Sequence, residues 1–147
     1  MMKKKKGKIR ITLISEQDGT SHTFSYRGEW FLKERSVYVR YIESDENDEV
    51  RALIRYCEGE LSLTRRGTVR SEQLFVKGER RSGHYRSPHA SLELEADTTE
   101  LRVHRQGDGE GLPIPPFMLE WKYDLISGDI KLGRFHNRLY IEEEQGS

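Results

Sequence analysis

The sequence predicts an all-β fold, a single antiparallel barrel of about eight to ten strands. Three observations predict it. Apolar and polar residues alternate with a period of two along almost the whole chain, the pattern of strands with one wet face. Turn pairs such as Asp18-Gly19, Glu58-Gly59 and Ser127-Gly128 separate those runs. No apolar face with helical spacing persists beyond two turns.

Taken in order, "KIRITLIS" alternates Ile9, Ile11 and Leu13 with Arg10 and Thr12. Residues 20–34 form a long strand in which Gly28 marks a bend or bulge. "SVYVRYIES" puts Val37, Val39 and Tyr41 on one face. "EVRALIRYCE" does the same with Val50, Ala52, Ile54 and Tyr56, after the acidic turn "DENDE". "ELSLTRRG" alternates Leu61 and Leu63 and then places Arg65 on that face, before a turn expected at Arg66-Gly67. In "ASLELEADTTELRVHRQ" the apolar parity switches between Leu94 and Leu101, which predicts a bulge near Asp97–Glu100. "GDGEG" reads as a loop and "LPIPP" as extended chain, because proline cannot donate to a central ladder. In "PFMLEWKYDLIS" Phe117, Leu119, Trp121, Tyr123 and Leu125 share one face, and "IKLGRFHNRLYIEEE" completes the set. The organisation expected is a basic tail over residues 1–8, one barrel domain over 9–144 and a short tail over 145–147.

Composition bounds the function classes. Leu, Ile, Val and Phe supply 34 of 147 residues and the net charge is zero, so the chain can bury a core without strong self-repulsion. Zero net charge also argues against nucleic acid as a partner. The run "KKKK" reads as a solvated tail, and no segment has the length of a membrane-spanning helix or a secretory core, so no membrane partner and a cytoplasmic location are expected. Cys57 is the only cysteine, which excludes an internal disulfide and a multi-cysteine zinc site. The five histidines follow no ligand spacing, and phosphate-loop, nucleophile-elbow and zinc-protease motifs are absent. No enzyme, metal or cofactor is expected.

Two features point toward binding. Phe117, Trp121 and Tyr123 form an aromatic wall, which either fills the core or lines a cavity. Arg65, if it faces inward, must meet a carboxylate, a carbonyl, water or a ligand anion, because an unpaired buried guanidinium is very costly. Trp30 lies in "GEW", the G-x-W pattern that opens lipocalin barrels. It stands here in the second strand and is read as a core or bend residue.

The chain also resembles the YwiB-like family of uncharacterised small bacterial proteins. The resemblance is carried by "FLKERSVYVRYIES", by "RRGTVRSEQLFVKG" followed by Tyr85 and "LELEADT", and by "YDL" leading to "FHNRLYIE". It implies a calycin-like, lipocalin-like barrel and no particular reaction. Arg65, Gly67, Gly78, Tyr85, His136 and Asn137 match its pattern without being plainly core. The residues expected to bind ligand are therefore Arg65, Tyr85, Trp121, Tyr123 and His136. The ligand expected is a small apolar or carboxylate molecule. The alternative is a packed barrel without a cavity, acting on a protein partner or as a homodimer.

Overall fold

Period-two alternation puts every second side chain on one face of a strand, and in this chain those faces converge. The computed structural model describes residues 5–45, 48–107 and 111–144, and its regular structure is entirely β. The strands are β1 (Lys6–Gln17), β2 (Thr20–Lys33), β3 (Ser36–Asp45), β4 (Asp48–Cys57) and β5 (Glu60–Gly67), then β6 (Arg70–Val76), β7 (Arg80–Ser87), β8 (Ala90–Arg105), β9 (Phe117–Ser127) and β10 (Ile130–Glu143). Each pairs antiparallel with its sequence neighbours, and β10 returns to β1 to close the barrel. That last ladder runs unbroken from Ile9↔Glu143 to Gln17↔Phe135. No helix among the described residues is long and apolar enough to cross a membrane.

The barrel starts at Lys6, inside the segment read as a tail. Lys6, Gly7 and Lys8 pair with Phe31, Trp30 and Glu29. The first two lysines of the run, the centres of the "DENDE" turn and the "GDGEG" loop, and residues 145–147 lie outside the described residues.

The two ends of the barrel are filled differently. At the end where β1 begins, Ile9, Trp30, Val37, Leu61, Leu119 and Ile141 are each no more than 1% exposed and form a close-packed plug. The β8–β9 connection closes this end, with Leu112 packed against the core and Pro113 fully buried. Toward the other end the inward positions turn polar: Ser15 on β1, Glu43 on β3, Arg65 on β5, Ser71 and Gln73 on β6 and Asn137 on β10. The core therefore stops partway and leaves a cup.

The expected bulge is present, as a register shift in the β8–β9 ladder between Thr98 and Glu100. A second shift, between Lys131 and Gly133 in β10, was not read from the sequence, although apolar parity switches there too, from Ile130 and Leu132 to Phe135, Leu139 and Ile141. The ladder passes Gly28 without a shift, so that glycine marks close packing against the Arg40 carbonyl rather than a bulge. The turn expected at Arg66-Gly67 falls two residues later, at Thr68 and Val69. Gly67 still pairs with Val50 at φ +149°, and a Cβ there would overlap the Glu49 carbonyl oxygen.

Gly67 therefore combines a backbone that favours glycine with no room for a methyl group. Gly67→Ala is expected to cost about 1–3 kcal/mol of stability, and Gly59→Ala less, since φ is +77° there but an added Cβ meets open space. Urea unfolding of both variants checks this; equal losses would mean that the close approach contributes nothing.

Candidate ligand-binding cup

The cup encloses about 290 Å³, at the lower edge of the ~300–1,000 Å³ typical of small-molecule sites. Its floor is apolar: Ile54, Leu63, Phe75 and Trp121 lie between it and the packed plug. Phe75 meets the Trp121 ring at 6.0 Å and the Tyr123 ring at 4.6 Å, both tilted, and Tyr123 stacks on Phe135 at 5.1 Å. These are ordinary aromatic contacts that hold the wall rigid.

Arg65 points inward, as alternation from Leu61 and Leu63 requires, and its Nε donates to Glu43 Oε1 at 3.0 Å. The two side chains are 30% and 25% exposed, so the pair sits in the wall of the cup in reach of water. Burial alone would favour a neutral guanidine, but the charge of Glu43 and its hydrogen bond outweigh it and hold Arg65 charged. The phenols nearby respond in the opposite sense. Burial raises Tyr26 and Tyr41 above the ordinary tyrosine value, with Glu43 adding to the effect and Arg65 opposing it. Burial pushes Tyr123 up to about 12 against a hydrogen bond from Asn137 and the charge of Arg65. All three stay protonated and available as hydrogen-bond donors at neutral pH. Asn137 is 8% exposed and accepts a bond from Ser15 Oγ at 2.7 Å.

Four of the five residues singled out from the sequence, Arg65, Tyr85, Trp121 and Tyr123, line this cavity. His136 does not. Its neighbours Phe135 and Asn137 face inward, so His136 faces out, where Nε2 meets Glu120 Oε2 at 2.5 Å. Glu120 also bonds His104 at 2.9 Å and Arg138 at 3.4 Å, which ties β8, β9 and β10 together on the convex surface. Burial raises the Glu120 carboxyl, but the bonds from His136, His104 and Arg138 prevail and hold it at about 2. This cluster staples three strands and has no connection with the cup. Cys57 is likewise remote, and burial with Glu60 beside it raises its thiol above the ordinary value, the wrong direction for a nucleophile.

Sequence reasoning missed the partner of Arg65. The signal was present: continuing Val37, Val39 and Tyr41 by one more step gives Glu43. Tyr26, Ser15 and Gln73 follow from the same extension of alternation toward the strand ends.

Residues 8–139 match the family model described as a domain of unknown function, DUF1934. The chain belongs to this family. A curated relative, the uncharacterized beta-barrel protein YwiB of Bacillus subtilis (strain 168), is 27% identical over 96 residues, which cover 64% of this chain and 68% of the relative. The crystal structure of the ywiB protein from Bacillus subtilis superposes with a TM-score of 0.73 at 22% identity, covering 96% of this chain and 93% of that one. The likeness establishes the barrel fold for this DUF1934 chain.

Two measurements follow from the geometry. Arg65→Ala is expected to cost about 1–3 kcal/mol, because it strands a half-buried carboxylate, and to cost less in a Glu43→Gln background. A double-mutant cycle in urea reads the coupling, and strictly additive losses would mean the pair is not coupled in solution. The second concerns Glu120, whose carboxyl lies below its ordinary value of 4.5. A depressed carboxyl stabilises the fold above its unfolded pKa, and that contribution is lost as pH falls toward the folded value. The stability gap between wild type and Glu120→Gln should therefore be widest above about pH 4.5 and close toward pH 2. A gap independent of pH over that window would show that the staple does not depend on the Glu120 charge.

Proposed function

We propose that the protein is a non-catalytic binding barrel whose cup takes a small, mostly apolar molecule carrying an acid group, anchored by Arg65. The observation that carries this reading is the half-filled interior. The chain packs one end of the barrel to the last methyl group, yet sets an arginine, a glutamate and several hydrogen-bonding side chains around an aromatic floor at the other. Polar groups in a barrel wall are costly unless they meet partners, and Glu43 takes up one of the five N–H donors of Arg65. A ligand acid would meet the others, with its apolar part on Trp121 and Phe75.

A fully packed barrel acting through a strand edge is disfavoured on two counts. The interior is not filled, and closure of β10 on β1 leaves only the short seam between β6 and β7 beyond Glu72↔His84 unpaired.

Native mass spectrometry of the protein purified from cells, followed by organic extraction, tests the reading directly. A reproducible small-molecule adduct that denaturation releases is expected. Titration with a medium-chain fatty acid should perturb the fluorescence of Trp121 in a Trp30→Phe background, and Arg65→Ala should weaken that binding about tenfold. A bare mass from every growth condition, together with no fluorescence response, would overturn the proposal.

A further inference from the structure

A charge pattern invisible in the linear sequence appears once the strands are in register. On the outer face beside the mouth of the cup, Arg51 pairs with Arg66 and Arg70 pairs with Arg86. The Arg65↔Ser71 register places Arg66 and Arg70 opposite each other across the β5–β6 turn. Four arginines from four adjacent strands thus stand in one row. At the ~4.8 Å spacing of neighbouring strands the row is about 14 Å long. Like charges directly opposite each other weaken a sheet, so the arrangement works against the fold it belongs to.

The row is also largely uncompensated. Arg51 is held by Glu49 at 3.1 Å. Arg66, Arg70 and Arg86 are exposed, and their guanidinium groups have no hydrogen-bond or ion-pair partner among the described residues. Arg66 and Arg70 line a shallow depression of about 280 Å³ with Thr64, Glu72 and His84. One carboxylate, Glu72, shares that depression with the two arginines. Arg65, Ser71 and His84 border both this depression and the cup, so the row continues the lip of the cavity. The wall is thin here: β6 and β7 share three paired positions before the ladder stops. Beyond them the Gln73 side chain bridges to the Arg81 carbonyl at 3.2 Å and packs against Gly83, where a Cβ would overlap it. On the mouth side, Phe24 and Leu92 leave 43% and 40% of their surface exposed.

We infer that the lip of the cup is an anion site for a phosphate monoester, and that the ligand is a soluble amphiphile with its apolar part in the cup and its phosphate at the lip, between Arg65 and the guanidinium groups of Arg66, Arg70 and Arg86. This rests on the cup reading and names the ligand class. A carboxylate has two oxygens and one charge, and Arg65 alone would satisfy it. A phosphate monoester has three terminal oxygens and a charge of about −1.5 to −2, which suits several converging guanidinium forks. Binding it would also neutralise the repulsion along the row.

The test uses the full chain with octyl phosphate, octanoate, octanol and inorganic phosphate as probes, and phosphatidylglycerol vesicles as a separate arm. Octyl phosphate is expected to bind about tenfold more tightly than octanoate. The triple variant Arg66→Gln, Arg70→Gln, Arg86→Gln should bring it down to the octanoate level and leave octanol unchanged. The three positions are exposed and mutually repulsive, so the variant should unfold at no lower urea concentration than the wild type, which serves as the folding control. Inorganic phosphate alone should shift the NMR signals of the arginine Nε groups in the row. No preference for phosphate, or a preference that survives the triple variant, overturns the inference while leaving the cup reading intact. If none of the three amphiphiles binds, the cup reading fails and the amphiphile falls with it; phosphate shifts confined to the row would then still support the anion site. Binding to vesicles without binding of soluble octyl phosphate would assign the row to a membrane surface and overturn the soluble ligand.

Discussion

Everything in this molecule hangs on the ladder between β1 and β10. A ten-stranded meander left open would curl and expose two edges. Joined at Ile9↔Glu143 through Gln17↔Phe135, it becomes a cylinder in which the facing of every residue is fixed by its neighbours. A slip of one residue anywhere would turn an entire apolar set outward. Closure therefore does two things at once. It commits Ile9, Ile11, Leu139 and Ile141 to the core, and it denies the same freedom to Arg65 and Glu43, which must face in whatever their charge.

The cup follows from that constraint together with a change of composition along each strand. On the plug side the inward positions are Ile, Leu, Val, Phe and Trp, and they form one contiguous buried cluster. On the mouth side the same parity delivers Ser15, Ser71, Gln73 and Asn137. These side chains are short or must keep their polar ends satisfied, and they cannot close a cylinder of ten strands. The cavity is thus a property of which residues stand at the far ends of the strands. The buried phenols of Tyr41 and Tyr123, kept protonated by their surroundings, make the upper wall a set of donors around one ion pair.

Eight of the ten strands and the β8 bulge were legible in the sequence because each depends on local alternation and turn residues; β6 and β7, with little alternation of their own, were not read as strands. The facing of Arg65 was legible only conditionally, because a turn starting at Arg66 would have exposed it. What was not legible depends on contacts distant along the chain or on where a strand ends. Glu43 was overlooked because the inward face of β3 was read only as far as Tyr41, although one more step along it reaches the partner of Arg65. His136 was assigned to the cup on family pattern rather than on facing, and alternation with Phe135 and Asn137 places it outside, against Glu120. The arginine row could not be read at all. Positions 51, 66, 70 and 86 have no periodic relation in sequence, and they align only because the lengths of three hairpins bring them into register.

The shortest ladder of the barrel wall adjoins the arginine row. Between β6 and β7 the ladder gives out after three positions, and a glutamine side chain stands in for backbone pairing. The same strands carry Arg70 opposite Arg86, a pair that repels across the seam. A sheet selected for stability alone would place opposite charges there, as it does at Glu29 and Arg40, where β2 and β3 are joined at 2.6 Å. The contrast within one barrel separates two uses of surface charge. On the convex wall, charges such as Glu29 with Arg40 and Glu120 with His104 and His136 are paired and hold strands together. At the lip Arg66, Arg70 and Arg86 stand without a partner among the described residues, beside the opening of the cup, where a bound anion would supply one.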